Sequence, residues 1–198
     1  MTDTRSNEQL HDLQREHHAQ QLAETMRRFR ERRPPVFAAE GHLPDTVRAW
    51  ADAFLAGTAR NLILGGPVGT GKTWAAWKLI EHLLTSGWRG TCEVVASYEL
   101  KAATDLPVDR DRLQRWARAS FLVLDDLGAV PVNDWAAGHL YALIDQRWQR
   151  QLPTVLTGNA DQAGTFDVAA LVGARAASRL ADGATVVVLK GTDRRRAR

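Results

Sequence analysis

Hydrophobic and polar positions follow two different periods along this chain of 198 residues. Residues 7–33 contain neither Gly nor Pro and carry sparse apolar positions at helical spacing, which predicts a helix. Pro34 and Pro35 end that helix, because proline has no backbone donor and restricts the residue before it. The stretch LPDTVRAWADAFLAG, residues 43–57, predicts a second helix that ends at Gly57.

From residue 61 onward, short apolar runs alternate with amphipathic stretches. The runs are NLILGG, TCEVVA, FLVLDD, PTVLTGN and ATVVVLK. They are rich in Val and Leu and apolar on both faces, as parallel strands covered by helices are. The stretches between them predict helices, including one that reaches about Ala119 and one from Asn133 to about Gln151. We therefore predict an α/β fold with a parallel, five-stranded sheet and helices on both faces. The Pro-Pro step divides a helical segment, residues 1–33, from one domain, residues 34–198.

Composition places the chain among globular proteins. Apolar residues make up 44% and charged residues 25%, close to the usual values, and the length allows one well-buried domain. No apolar run approaches the roughly 20 residues of a membrane-spanning helix, and the polar first residues lack the apolar core of a signal peptide. Cys92 is the only cysteine, which excludes an intramolecular disulfide and a cysteine-cluster zinc site. We expect a cytoplasmic protein without a membrane partner.

A complete phosphate-binding loop pattern lies between the first apolar run and the helix after it. It comprises Gly66, Pro67, Val68, Gly69, Thr70, Gly71, Lys72 and Thr73. In such a P-loop the glycines let backbone N–H groups face phosphates, Lys72 reaches the β- and γ-phosphates, and the Thr73 hydroxyl joins the Mg²⁺ shell. A glycine-rich turn without a ligand is the alternative. The strand before the loop and the helix after it favour a nucleotide site.

Polar residues also end two later apolar runs. In P-loop proteins an acidic residue after such a strand faces the nucleotide and holds Mg²⁺, usually through water, and we assign this role to Asp125. Its neighbour Asp126 points differently and is predicted to orient the attacking water. The run PTVLTGN ends on Thr157 and Asn159, which we expect beside the γ-phosphate, since ligands lie at the carboxyl ends of strands in such sheets.

Arginine supplies much of the positive charge, although the net charge is only +3. Two basic clusters lie in residues 27–33 and 190–198. Each is expected either to contact nucleic-acid phosphates or to be solvated. Arg175 and Arg179 share one face of a short predicted helix, where arginine is usually solvated. An arginine from a second subunit also stabilises transition-state charge on a γ-phosphate in some NTPases, and we predict this role for Arg179.

Together these motifs resemble the AAA+ ATPases of the DnaC/DnaI helicase-loader and IstB transposition-helper family. The resemblance rests on RNLILGGPVGTGKT, FLVLDDLG, LIDQRWQRQLPTVLTGN and VVVLKGTDRR, and spans about residues 32–195. It implies a P-loop NTPase fold with an AAA+ core, ATP and Mg²⁺ as ligands, and ATP hydrolysis. The implied roles are Walker A for Lys72 and Thr73, Walker B for Asp125 and Asp126, first sensor for Asn159, and an arginine finger acting in trans for Arg179.

The same resemblance implies further details of the core. Phe37, in the lead-in RRPPVF, helps to wall the adenine pocket. Only about 40 residues follow Asn159, so we expect little or no C-terminal lid. Two positions depart from the family pattern. Asp126 stands where many AAA+ proteins have Glu, which puts fast hydrolysis in question. Gly158 replaces the serine of the usual Thr-Ser-Asn and leaves Asn159 in place.

The resemblance also implies ATP-dependent self-assembly around single-stranded DNA. Our leading hypothesis is a loader whose N-terminal helix binds a hexameric replicative helicase, with the alternative that this helix packs on its own domain. A transposition helper of the IstB type shares the core and differs in its partner. His11, His17 and His18 on the helix are expected to be solvated and not metal ligands.

A small-molecule or nucleotide kinase with the same P-loop is the third hypothesis. Its arginine-bearing lid would be LPVDRDRLQRWARAS, residues 106–120, which carries Arg110, Arg112, Arg115 and Arg118. In the loader hypothesis these arginines line a DNA path instead, with Trp116 available for stacking on bases.

Overall fold

A computed structural model describes residues 3–130, 133–160 and 165–194, with side chains from residue 13 onward. The helices are α1 (Asp3–Arg32), α2 (Asp45–Leu55), α3 (Lys72–Thr85), α4 (Ser97–Thr104), α5 (Arg110–Arg118), α6 (Asp134–Gln149), α7 (Val168–Val172) and α8 (Ala174–Ala181). The strands are β1 (Asn61–Gly65), β2 (Cys92–Ala96), β3 (Phe121–Leu127), β4 (Thr154–Gly158) and β5 (Ala184–Val188). A single 3-10 turn, Pro35–Phe37, follows α1.

The strands form one parallel sheet of five, in the order β2-β3-β4-β1-β5. Each strand coincides with one of the apolar runs, so the predicted α/β architecture is confirmed. Consecutive strands β1 and β2 are not neighbours, because β3 and β4 lie between them. This crossover puts β1 inside the sheet, with its carboxyl end flanked by β4 and β5.

Two apolar clusters cover the two faces of the sheet. On β3, Phe121 and Val123 belong to the cluster that α1, α2 and α3 complete, whereas Leu122 and Leu124 belong to the cluster of α4 to α8. Successive side chains of a strand point to opposite faces, so both sets are buried. Burial of each such side chain stabilises the fold by roughly 1.5–3 kcal/mol. The continuous apolar runs in the sequence follow directly from this two-sided cover.

Helix α1 packs on the core near its carboxyl end. Its 30 residues span about 45 Å. Met26 and Phe29 are buried in the cluster that includes α3, and Arg33 pairs with Glu81 of α3 through Nη1 and Oε2 at 3.1 Å. Residues 13–20 are all exposed. The two alternatives for this helix therefore apply to different parts of it: the last turns pack on the domain, and residues 13–20 are accessible.

The region between β2 and β3, predicted as one helical stretch, contains two helices. Pro107 lies in the connection, and the Asp109 side chain caps α5 by accepting a hydrogen bond from the Arg112 N–H at 2.9 Å. A capping aspartate of this kind starts a new helix. Within the described ranges, no helix combines the length and the apolar character that a bilayer crossing requires.

Arg147 ties α6 to the beginnings of two strands. It is 1% exposed, and its guanidinium donates to the Thr154 hydroxyl at 3.0 Å, to the carbonyls of Trp116 and Ala119 at 2.8 Å each, and to the Pro153 carbonyl at 2.5 Å. Burial lowers the pKa of Arg147 to about 10. The sequence alone does not distinguish Arg147 from the exposed arginines, because its partners are carbonyl groups that other segments of the chain supply.

Candidate functional site

Three neighbouring strands bring the predicted motif residues to one edge of the sheet. The P-loop follows β1, the aspartates close β3, and Asn159 follows β4, and these strands are adjacent in the order β3-β4-β1. All three are parallel, so their carboxyl ends meet at the same edge. This is the position at which open α/β sheets bind ligands.

The P-loop backbone passes through conformations that favour glycine. Gly69 has φ +80° and Gly71 has φ +92°, and Gly71 is the N-cap of α3, so the amino end of that helix opens into the loop. The Lys72 ammonium is buried and donates to two loop carbonyls, those of Gly66 and Pro67, at 2.8 Å each. Backbone N–H groups and a buried cation thus converge where a helix amino terminus attracts anions.

Asp125 is joined directly to the P-loop helix. Its Oδ1 accepts hydrogen bonds from the Thr73 hydroxyl at 3.0 Å and from the Thr157 hydroxyl at 2.7 Å. Burial raises the pKa of Asp125 above its ordinary value, although the hydrogen bonds from Thr157 and Thr73 lower it in part. Positive charge beside this carboxylate would favour its ionised form.

Asp126 leaves the regular strand path. Its φ of +53° lies in the left-handed region, and the pairing of β3 with β4 shifts between Leu124 and Leu127. Its N–H donates to the Thr157 hydroxyl at 2.8 Å, and its Oδ1 accepts from Asn159 Nδ2 at 3.4 Å. A bulge of this kind re-aims a side chain, and here it directs Asp126 toward Asn159.

Thr157 differs from the expectation drawn from sequence. It was expected beside the γ-phosphate together with Asn159, but its side chain is 0% exposed and lies behind the two aspartates. Gly158, the departure from Thr-Ser-Asn, has a packing reason: a Cβ there would lie 2.7 Å from Cε2 of Phe166. Real Cβ atoms essentially never approach so closely, so the ring of Phe166 takes the place of a side chain at 158.

A pocket of about 320 Å³ adjoins the P-loop. Its lining residues are Pro44, Thr70, Gly71, Trp74, Val188, Leu189, Lys190 and Arg194. Phe37 is not among them; it is partly buried and packs on the α1–α3 cluster instead. The lead-in nevertheless reaches the pocket, because Pro44 lines it and the Trp74 indole N–H donates to the Ala39 carbonyl at 3.0 Å. The sequence analysis missed this wall, although the indole of Trp74 directly after the P-loop could have indicated it.

The segment after β5 lies across the P-loop. The Arg194 N–H donates to the Gly69 carbonyl at 3.1 Å. The Asp193 carboxylate lies against the same glycine, since a Cβ on Gly69 would be 1.9 Å from Asp193 Oδ1. Lys190 and Arg194 line the pocket, so part of the C-terminal basic cluster is at the nucleotide site. The remaining arginines of that cluster, Arg195, Arg196 and Arg198, lie outside the described residues.

The residues present fit both predicted ligands. A pocket of this volume is of the size of small-molecule sites, and the P-loop beside it carries the donors that phosphates need. For Mg²⁺, the Thr73 hydroxyl and Asp125 carboxylate oxygens are 3.0 Å apart. Neighbouring oxygens of an octahedral shell at about 2.1 Å from the ion have about that separation. Thr73 and Asp125 would hold the ion, whose bound form supplies positive charge beside the phosphates.

Arg179 is engaged within its own chain. Its Nε donates to Asp145 Oδ1 on α6, and its guanidinium carbon lies 4.9 Å from the ring centre of Tyr141 and 5.2 Å from that of Trp148. Such stacking is favourable for arginine. Arg175, one turn away, is exposed. The finger role of Arg179 remains a prediction, and the structure adds an intrachain role that competes with it.

The arginine-rich stretch 106–120 forms α5 and the loop before it. Trp116 is 3% exposed in the α4–α8 cluster, so the prediction that it stacks on bases is wrong; the exposed indole nearby is Trp135, whose N–H donates to the Thr104 carbonyl at 2.9 Å. Arg115 pairs with Glu93 on edge strand β2, which β3 and β4 separate from the P-loop strand. This position does not suit the phosphate lid of a kinase.

The histidines of α1 show no metal-binding arrangement in the part that is described. His17 and His18 are exposed, and His17 Nε2 lies 2.8 Å from Gln21 Nε2. The side chain of His11 lies outside the described residues. Among the described side chains, no three His, Cys, Asp or Glu residues are grouped to hold a metal ion.

Comparison with known proteins supports the nucleotide site. The ATP-binding protein of insertion sequence IS21 from Pseudomonas aeruginosa is 29% identical over 116 residues, which cover 57% of this chain and 43% of that relative. This match thus spans less than half the length of that relative. Two solved structures share the fold. The DnaC helicase loader has a TM-score of 0.59 and 23% identity, and the match covers 73% of this chain and 86% of the loader. DnaI has a TM-score of 0.62 and 21% identity, with 78% of this chain and 86% of DnaI covered.

The family assignment rests on most of the chain. Residues 37–197 match the family described as IstB-like ATP binding protein. That range contains the P-loop, both aspartates of β3 and Asn159. The DnaC helicase loader and DnaI share the fold of this range. The chain therefore belongs to the IstB-like family of ATP-binding proteins.

Proposed function

We propose that this protein binds ATP with Mg²⁺, hydrolyses it, and uses the nucleotide state to control its assembly with single-stranded DNA and a DNA-bound partner protein. The observation that carries the proposal is a continuous chain of hydrogen bonds from Thr73 through Asp125 and Thr157 to Asp126. This chain joins the P-loop helix to both acidic residues of β3. The Asp126 carboxylate in turn accepts a hydrogen bond from Asn159 Nδ2 at 3.4 Å, and a second carboxylate at this place supports hydrolysis in addition to binding.

Each side chain has its own part in hydrolysis. Lys72 exchanges its loop carbonyls for phosphate oxygens and so binds the nucleotide. Thr73 and Asp125 hold the ion. Asp126, in contact with Asn159, orients the attacking water and accepts its proton at a carboxylate oxygen. Asp is one methylene shorter than the Glu usual at this position, so hydrolysis is expected to be slow relative to binding.

The first test separates binding from turnover. Lys72→Ala is expected to abolish binding of a fluorescent ATP analogue. Asp126→Asn, a matched change of one carboxylate oxygen to an amide, is expected to keep binding and to stop phosphate release. Turnover of the unaltered chain should rise with protein concentration and with single-stranded DNA. Turnover that follows an added phosphoryl acceptor and ignores DNA would instead identify a kinase.

Self-assembly in the ATP state is part of the proposal, with Arg179 as the arginine that acts in trans. In the isolated chain Arg179 pairs with Asp145. To contact the nucleotide of a neighbouring subunit, Arg179 has to leave this ion pair. The proposal rests on the position of the arginine on α8 and on the transition-state charge that a guanidinium stabilises.

Asp145→Asn provides the matched control for Arg179→Ala. If Arg179 is the finger, Arg179→Ala suppresses hydrolysis and leaves ATP binding intact, whereas Asp145→Asn keeps hydrolysis because the arginine is still present. Mixing Arg179→Ala with Lys72→Ala protein should then restore some turnover. Equal loss in both single variants, without rescue in the mixture, would show that Arg179 acts through its ion pair alone.

We propose a hexameric replicative helicase as the first partner, bound by the exposed turns of α1. Residues 13–20 are exposed on a helix whose carboxyl end packs on the core, which leaves these turns available to another protein. The DnaC helicase loader shares the fold of this chain and supports the choice of a helicase partner through that likeness alone.

A transposase is the second candidate partner, because the sequence relative belongs to insertion sequence IS21. Co-purification with each partner distinguishes the two. The informative variant lacks residues 1–20 and keeps residues 21–33, since Met26, Phe29 and Arg33 belong to the core. Its ATP binding should be unchanged and its partner binding lost. Partner binding that survives this deletion would refute the role of α1.

We propose exposed arginines of α5 as the contact with single-stranded DNA. Arg110 and Arg118 are exposed, whereas Arg115 is paired with Glu93. Replacing both Arg110 and Arg118 by Ala is expected to weaken DNA binding and to reduce the slope of log affinity against log salt by about 1.4, near 0.7 for each phosphate contact with a single strand. Arg150→Ala, an exposed arginine after α6, serves as the control with an unchanged slope.

A further inference from the structure

The buried hydroxyl of Thr157 connects the two aspartates of the site. It donates to Asp125 Oδ1 at 2.7 Å and accepts from the Asp126 N–H at 2.8 Å. The residue is 0% exposed, so water does not replace either bond. One O–H group on β4 therefore serves a side chain and a backbone group on β3 at the same time.

The bulge in β3 explains why a hydroxyl is needed at this place. Leu124 pairs with Leu156 and Leu127 pairs with Gly158, so β3 contains one more residue than β4 between the two pairs. An extra residue is left out of the ladder, and the Asp126 N–H takes the Thr157 side chain as its acceptor in place of a carbonyl. In a regular strand, Asp125 and Asp126 would point to opposite faces.

We propose that Thr157 is a positioning residue that aligns both acidic groups, an inference that rests on the proposed ATPase function. Its donor bond holds the Asp125 carboxylate in contact with the Thr73 hydroxyl. Its acceptor function fixes the left-handed backbone at Asp126, whose carboxylate then contacts Asn159. Thr157 does not touch the nucleotide; it acts through Asp125 on the ion and through Asp126 on the water.

Two variants at this position separate the role of the hydroxyl from that of the side-chain volume. Thr157→Val has the same shape without a donor or acceptor, and Thr157→Ser keeps the hydroxyl. Thr157→Cys, with a weak donor and a weak acceptor, gives a second test in case the valine variant does not fold. The matched control is Thr154→Val on the same strand, since Thr154 is also buried and its hydroxyl accepts from Arg147 Nε at 3.0 Å.

The readouts are the Mg²⁺ concentration that gives half-maximal binding of a fluorescent ATP analogue, nucleotide affinity without Mg²⁺, kcat, KM and the melting temperature. Thr157→Val is expected to raise the required Mg²⁺ concentration and to lower kcat, each by roughly 10–100-fold, the usual effect of removing a group that orients a metal ligand. Affinity without Mg²⁺ and KM at saturating Mg²⁺ should change by less than about 3-fold. Thr157→Ser should restore every value, and Thr157→Cys should lie between.

Two patterns would overturn the inference. One is a Thr157→Val protein with unchanged Mg²⁺ dependence and kcat. The other is a loss of melting temperature equal to that of Thr154→Val with no change in Mg²⁺ dependence, which would make Thr157 a purely structural residue. Failure of the proposed ATPase function looks different: the unaltered protein and Thr157→Ser would then release no phosphate, while the Mg²⁺ dependence of binding would still test Thr157.

Discussion

Replacing Arg147 by Met tests how the buried guanidinium stabilises the edge of the sheet opposite the nucleotide. Met keeps an unbranched side chain of similar length and removes all donors. Three carbonyls, those of Trp116, Ala119 and Pro153, lose their hydrogen bond to Arg147. The Pro153 carbonyl keeps a hydrogen bond from the Leu122 N–H at 3.4 Å. A buried acceptor without a partner costs about 1–3 kcal/mol, so the loss from the other two carbonyls is about 4 kcal/mol at the middle of that range.

Removal of the buried charge offsets part of this loss. Burial lowers the pKa of Arg147 from 12.5 to about 10, which corresponds to about 3 kcal/mol. The expected net destabilisation of Arg147→Met is therefore about 1 kcal/mol. Arg147→Lys should lose at least as much, because it keeps a buried charge and a compact ammonium does not span the same four acceptors.

Urea denaturation at neutral pH measures this difference as a shift in midpoint with an unchanged slope. Arg150→Met, an exposed change close by in sequence, should alter the free energy of unfolding by less than about 0.5 kcal/mol. An Arg147→Met protein that is as stable as the unaltered chain, or more stable, would refute the reasoning. It would mean that the cost of burying the guanidinium exceeds the value of its hydrogen bonds.

Three further predictions concern other contacts. Gly158→Ser should destabilise the fold by about 1 kcal/mol by overpacking. In urea denaturation, the same change made in a Phe166→Ala protein should cost much less, relative to Phe166→Ala alone. Burial alone would raise the pKa of Glu81, but the hydrogen bond from Lys78 and the charge of Arg33 outweigh it and lower the pKa. The stability that this carboxylate contributes is present above about pH 4.5 and is lost as pH falls through its lower folded-state pKa, so Glu81→Gln should show a weaker acid dependence of melting temperature. Asp193→Asn should tighten ATP binding several-fold in a titration, because it removes a negative charge beside the P-loop; unchanged affinity would show that the segment moves away when nucleotide binds.

Much of the fold was accessible from local patterns. Runs such as FLVLDD are apolar at every position because both faces of the sheet are covered, and the P-loop and the paired aspartates are contiguous in sequence. Contacts between distant segments were not accessible in this way. Arg147 is the same residue type as the exposed Arg150, and Trp116 lies among exposed arginines, yet both are buried, because the packing of α5 and α6 on the sheet determines which side chains are covered.

The nucleotide-site chemistry was therefore determined by short stretches of sequence. Residues 66–73 form the phosphate-binding loop, and Asp125 lies near the end of an apolar run, whatever the place of that strand in the sheet. The arrangement of the site was determined by pairing between strands. A one-residue bulge in β3 and its register with β4 place the Thr157 hydroxyl between two aspartates, and the path of the chain before α2 puts Pro44 at the pocket in place of Phe37. Register and chain path depend on the burial of many distant side chains at once, so no local motif encodes them.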